Sequence, residues 1–191
     1  MRRPGALRAI GVALLPCVLA LTACTNPALP RFEATLAAQP SATVALAQWC
    51  AARRLASPAT IHALADRTAR PAPAEVRRAL GVSGQEALGY RHVRLACGDV
   101  VLSDAQNWFV PARLTPAMNE ALATSQTPFG TVVAPLHFTR ERLAARRGAL
   151  PGCPKGTVLS HRAVLRRPDG APISLVIECY TRATLARAPK S

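Results

Sequence analysis

The sequence predicts an α+β domain, one antiparallel sheet with helices packed on one side. Three observations point there. Tyr90 to Cys97 alternates side chains between two faces, with Arg91, Val93, Leu95 and Cys97 on one and Tyr90, His92, Arg94 and Ala96 on the other. Thr157–Arg166 and Pro172–Thr181 flank Arg167-Pro168-Asp169-Gly170, where Pro sets φ and Gly accepts a positive φ, as a hairpin turn requires. The chain before Tyr90 carries helix starts and helical spacing instead.

The elements follow in order. Ser41 caps a first helix in which Val44, Leu46, Trp49 and Cys50 share a face. Ser57-Pro58 reads as the start of a second, with a Ser cap and Pro in the first turn. His62 and Asp66 then fall one turn apart, as a surface pair. A third helix runs from Pro73 to Leu80 and stops at Gly81. After the Tyr90–Cys97 strand, Gly98-Asp99 turns the chain and Val100–Leu102 returns antiparallel. Trp108–Val110 is a further short strand. Thr115-Pro116 opens a helix through Met118 and Leu122, Pro128-Phe129-Gly130 a short turn or helix, and Pro135–Arg140 is extended, with the run beyond it open to a helical reading.

The N-terminus is a separate signal. Arg2, Arg3 and Arg8 precede an apolar run from Ala9 to Ala23 that is interrupted by Pro16 and short for a membrane span. The run ends in Leu21-Thr22-Ala23-Cys24, which resembles the lipobox of bacterial lipoproteins. That resemblance implies cleavage before Cys24, a lipid on Cys24, and a membrane-anchored protein facing the periplasm. The expected layout is therefore a lipoprotein signal peptide at 1–23, a Pro- and Ala-rich tether at 24–40, a single domain at 41–187 and a tail at 188–191.

Charge and cysteines narrow the partners. The net charge of +14 falls to +11 without the three arginines of residues 1–23, so anionic partners are favoured. Nucleic acid is not among those expected, because the chain is read as exported and carries no nucleic-acid motif. With Cys17 removed and Cys24 lipidated, Cys50, Cys97, Cys153 and Cys179 remain. In an oxidising compartment they read as two disulfides with three possible pairings, or else as buried thiols. Their spacing suits no zinc site, and no metal is expected.

No phosphate loop, HExxH or GxSxG is present. Two charged residues stand out. Arg91 shares a strand face with Val93 and Leu95, and a guanidinium is rarely buried without a partner. Glu178 lies in the apolar run Ile173–Tyr180, on the face of Ser174 rather than that of Leu175 and Ile177. Arg91 suits a carboxylate clamp, and Glu178 a hydroxyl or a transferable proton. The plain alternative is that the two pair with each other or reach water. Trp49 and Trp108 read as core; His92, His137 and His161 as surface or packing residues; Arg140, Arg142, Arg146 and Arg147 as a solvated basic face.

From about Gln85 to Tyr180 the chain resembles the chorismate lyase family and the effector-binding domain of GntR-type regulators. Four segments carry the likeness: Arg91-His92-Val93-Arg94-Leu95; Trp108 with Ala112-Arg113 and Pro116; Thr127-Pro128-Phe129-Gly130; and a closing hairpin with Arg162 and Glu178 on its two strands. The resemblance implies a six-stranded antiparallel sheet with helices on one side and an enclosed ligand cavity. It implies that Arg91 clamps a ring carboxylate with help from the Phe129 N–H and that Glu178 meets the oxygen at the other end of the ring. Apart from the resemblance, Arg113 and Arg162 read as lining the cavity mouth or as holding structural salt bridges. In the lyases the reaction releases pyruvate from chorismate and leaves 4-hydroxybenzoate, with no metal or cofactor. The stretch from Pro172 to Glu178 is one residue longer than the lyase spacing, and a bulge there would bring Glu178 to the inner face. Export favours a binder of a small anionic carboxylate over that lyase, whose substrate is cytosolic; a structural envelope lipoprotein is the remaining reading.

Overall fold

The computed structural model describes residues 27–66 and 68–186. The signal peptide, Cys24 and the tail lie outside them. Six strands form one antiparallel sheet in the order β1-β2-β3-β6-β5-β4. They are β1 (Ile61–Asp66), β2 (Gly89–Cys97), β3 (Val100–Phe109), β4 (Thr139–Arg147), β5 (Leu159–Arg166) and β6 (Pro172–Tyr180). The α+β class and the single six-stranded antiparallel sheet are as predicted; the expectation that all helices lie on one side is corrected, because the helix Ala74–Leu80 packs on the other face against Trp108 and Leu175.

The helices are α1 (Ala28–Ala37), α2 (Ala42–Arg53), α3 (Ala74–Leu80), α4 (Pro116–Thr124) and α5 (Phe129–Val132). Helices α1 and α2 cover the face that carries Val93, Leu95 and Ala105. The short helix α3 lies across the opposite face, where Val76 and Leu80 pack on Trp108, Val164 and Leu175. Strands β3, β5 and β6 are therefore buried on both faces, whereas β4 is largely exposed. No helix among the described residues is long and apolar enough to cross a membrane.

Ser41 caps α2 as expected, its hydroxyl accepting from the Val44 N–H at 3.2 Å. Gly81 ends α3 at φ 59°. The closing hairpin turns at Gly170, φ 82°, with the Arg167 N–H donating to the Ala171 carbonyl at 3.0 Å. Disulfides join Cys50 to Cys97, tying α2 to the end of β2, and Cys153 to Cys179, tying the β4–β5 loop to β6.

Four elements differ from expectation. In the stretch Pro135–Arg140, expected to be extended, Ala134–Leu136 is a 3-10 turn and the strand begins at Thr139 and runs on to Arg147. The stretch read as a tether holds α1. Ala28, Phe32 and Leu36 recur every fourth residue and all are buried. The Phe32 ring packs 5.1 Å from Trp49 and 5.0 Å, edge-on, from Tyr180, so the fold begins before residue 41. The expected helix at Ser57-Pro58 is a loop leading to β1. There Ile61 and Ala63 point into the core and pair with Cys97 and Leu95. Strand pairing overrides the local cap signal, and Asp66 meets His92 rather than His62. The separate strands at Val100–Leu102 and Trp108–Val110 are one strand, β3, whose polar middle hides its continuity.

A bulge that absorbs the extra residue lies at the start of β6, and Glu178 keeps the face of Ser174 and Val176. Leu165 pairs with Ser174 but Arg166 with Pro172, so Ile173 is the extra residue on β6.

Phe32→Ala should lower unfolding free energy by about 3–5 kcal/mol, as for a fully buried aromatic. Urea denaturation checks this; a change under about 0.5 kcal/mol is the result expected of a tether residue.

Candidate functional site

Strand register sets the inner wall of the site. Arg91 on β2 stands opposite Asn107 on β3, Asn107 opposite Val176 on β6, and Glu178 opposite Ala105. Directly opposed residues share a face, so Arg91 and Glu178 project to the same side. A cavity of about 50 Å³ lies between this wall, the start of α2 and α5. Arg91, Asn107, Phe129, Arg140 and Glu178 all border it, and Val93, Leu95, Phe138 and Leu165 make most of the remainder apolar. The N-terminal turn of α5 packs tightly on that of α2: a side chain at Gly130 would stand 3.1 Å from the Thr43 hydroxyl.

Arg91 is 6% exposed. Its Nη1 donates to the Thr127 carbonyl at 2.7 Å and its Nη2 to the Ser125 carbonyl at 2.8 Å. These bonds fix the segment between α4 and α5 and so place Phe129 on the cavity. No carboxylate pairs with Arg91 among the described residues. Burial lowers its pKa, with no neighbouring acid to offset the loss of water.

Glu178 is 5% exposed, and its partner is Arg140 rather than Arg91. The Tyr180 hydroxyl donates to the same carboxylate oxygen, Oε2, at 2.9 Å. Burial is the largest single influence on Arg140 and acts to lower its pKa, but the charge of Glu178, the Tyr180 hydroxyl and the hydrogen bond to Glu178 together outweigh it, and the pKa is raised. Burial, then the Glu178 charge, pushes the Tyr180 hydroxyl well up. His161 packs edge-on against Tyr180 at 5.5 Å, and Arg140 Nη2 lies 3.3 Å from its Nδ1. Burial lowers the His161 pKa to about 4, so the ring is neutral at pH 7 and Nδ1 can accept from the guanidinium.

The structure thus brings Arg91, Phe129 and Glu178 together at one cavity. Arg113 is not there. Its Nη1 donates to the carbonyls of Leu80 and Pro172, at 2.8 and 2.6 Å, which ties the end of α3 to the start of β6. Arg162 faces the opposite side of the sheet, 3.6 Å from Glu75. Arg140, read as part of a solvated basic face, borders the cavity instead, its side chain 10% exposed and paired with Glu178. His161, Tyr180 and Asn107 also belong to it, and only strand register could have revealed them. Among the described residues, no cluster of three His, Cys, Asp or Glu is placed to hold a metal ion.

No protein-family model matches the chain. The protein y4mC of Sinorhizobium fredii, itself described as uncharacterized, is 41% identical over 177 residues, covering 82% of this chain and 75% of its own. Among solved structures, PhnF from Mycobacterium smegmatis superposes with a TM-score of 0.55 at 13% identity, covering 80% of this chain and 69% of its own. The effector domain of PhnF from the same organism superposes with a TM-score of 0.52 at 12% identity, covering 74% and 88%. These likenesses show the fold, that of the GntR-regulator effector domains and the chorismate lyases.

His161 makes stability depend on pH. Its folded pKa of about 4 lies below its ordinary 6.5, so the unfolded chain takes up the proton first as pH falls. Its contribution is fully present above pH 6.5 and is lost as pH falls toward 4, on the order of 3 kcal/mol in all. Urea midpoints should fall between pH 7 and pH 5, and the fall should be smaller in His161→Phe. Equal falls in both proteins would contradict the assignment.

Proposed function

The chain belongs to the same family as Sinorhizobium fredii y4mC, and we propose that it is a lipid-anchored protein of the bacterial cell envelope that binds a small anionic carboxylate. The observation that carries the ligand reading is Arg91, which has no carboxylate partner among the described residues. Two guanidinium groups and one carboxylate border the cavity, and Arg140 already takes the carboxylate. A buried charge without a partner is costly, and an anion beside Arg91 offsets that cost.

Size and lining refine the ligand. A cavity of about 50 Å³ offers room for about three to five water molecules. A compact organic acid fits as the site stands, whereas an aromatic acid requires Phe129 and Phe138 to turn aside. The apolar walls favour an organic acid over an inorganic ion.

Glu178 favours binding over the lyase reaction. Its Oε2 already accepts from Arg140 and Tyr180. A carboxylate held this way accepts a bond from a ligand hydroxyl, while moving a proton through it would first disturb a buried ion pair.

The envelope reading rests on the lipobox at Leu21–Cys24, supported by two disulfides that suit an oxidising compartment. Because α1 starts at Ala28, only residues 25–27 separate Cys24 from the fold. That distance is at most about 14 Å of chain, which would hold the domain against the membrane surface.

Three measurements test this. A thermal-shift panel of acetate, glycolate, benzoate and 4-hydroxybenzoate should raise the melting point with at least one acid, and Arg91→Ala should weaken that binding about 10–100-fold. No shift with any acid would contradict the binding reading. Radiolabelled palmitate should enter the wild type and not Cys24→Ser; equal labelling would contradict the anchor. Chorismate should yield no pyruvate above background, and sustained release would replace the binder with a lyase.

A further inference from the structure

Asn107 stands directly opposite Arg91 on the neighbouring strand, and both border the cavity. Residues so placed have Cβ atoms about 4.5–5.5 Å apart. Asn107 is 5% exposed, and Ser174, also buried, donates its hydroxyl to the Asn107 Oδ1. Among the described residues the Ser174 hydroxyl has no other acceptor, and the Asn107 amide nitrogen has no partner at all. A buried hydroxyl proton needs an acceptor. It claims the amide oxygen and leaves the NH₂ as the free end of the side chain.

We infer that Asn107 is the second ligand contact of this site, its amide taking one carboxylate oxygen while Arg91 takes the other, with Ser174 as the positioning residue. The inference rests on the carboxylate-binding reading above. An aspartate of the same shape at this position would pair with Arg91 and neutralise it. The amide leaves the guanidinium unpaired and adds a neutral donor at its side. A planar carboxylate matches two donors on adjacent strands.

The far end of the cavity narrows the ligand class. Glu178 spends Oε2 on Arg140 and Tyr180, and its Oε1 has no partner among the described residues. The ligand is accordingly a carboxylate that carries a hydroxyl or amine donor away from the acid group.

The probes are glycolate and 4-hydroxybenzoate, each paired with its neutral amide, with affinities for the full-length protein read by ligand-observed NMR. The wild type should prefer the acid of each pair. Asn107→Asp should lower acid binding at least tenfold. Asn107→Ala should lower it about tenfold and covers the case in which the added acid prevents folding. Ser174→Ala frees the amide to rotate and should narrow the preference for acid over amide, a ratio that loss of packing alone would not move. If Arg91→Ala loses binding while the Asn107 variants keep wild-type affinity and preference, this inference fails and the binding reading stands. If the wild type binds neither acid, both fail.

Discussion

A guanidinium withdrawn from water, with no counter-ion among the described residues, is the constraint on which the site depends. Arg91 keeps its charge at 6% exposure because the carbonyls of Ser125 and Thr127 receive two of its N–H groups. Carbonyl dipoles solvate a cation but do not neutralise it. Those same bonds hold the chain between α4 and α5, so the charge organises the lip of the cavity that it polarises.

The rest of the inner face is arranged so that this charge stays unspent. Glu178, the one acid bordering the cavity, is held by Arg140 and Tyr180. His161 is buried beside them in its neutral form. Asn107, where an acid would have closed the site, is an amide. The bulge at Ile173 sets the register of β6 against β5, and with it the place of Glu178. On the opposite face Arg113 and α3 serve a structural purpose, tying Leu80 to Pro172 and covering Trp108.

Much of this was legible in the residues. The alternation of Tyr90–Cys97 put Arg91 on an apolar face, and the Pro-Asp-Gly turn marked the closing hairpin. The resemblance then paired Arg91 with Glu178 and Phe129. What stayed hidden had physical causes. Glu178 read as facing away from the core because its alternation partners are less apolar than Leu175 and Ile177; with both faces of β6 buried, polarity no longer marks the inside. Arg140 was masked by the arginines around it, although it alone of that run pairs with Glu178. Ala28, Phe32 and Leu36 carried a helical spacing that the prolines beside them obscured. β3 lost its strand signature to Ser103, Asp104, Gln106 and Asn107, yet those polar residues belong to a central strand, and Asn107 to the site.

The most direct measurement is the ¹⁵Nε–¹Hε signal of Arg91 followed by NMR during titration with glycolate. The account predicts a saturable shift at Arg91, with Arg113 unmoved because it does not border the cavity and is bound to the carbonyls of Leu80 and Pro172. An Arg91 signal that stays fixed while glycolate binds, or one that moves equally with sodium chloride of the same ionic strength, would contradict it.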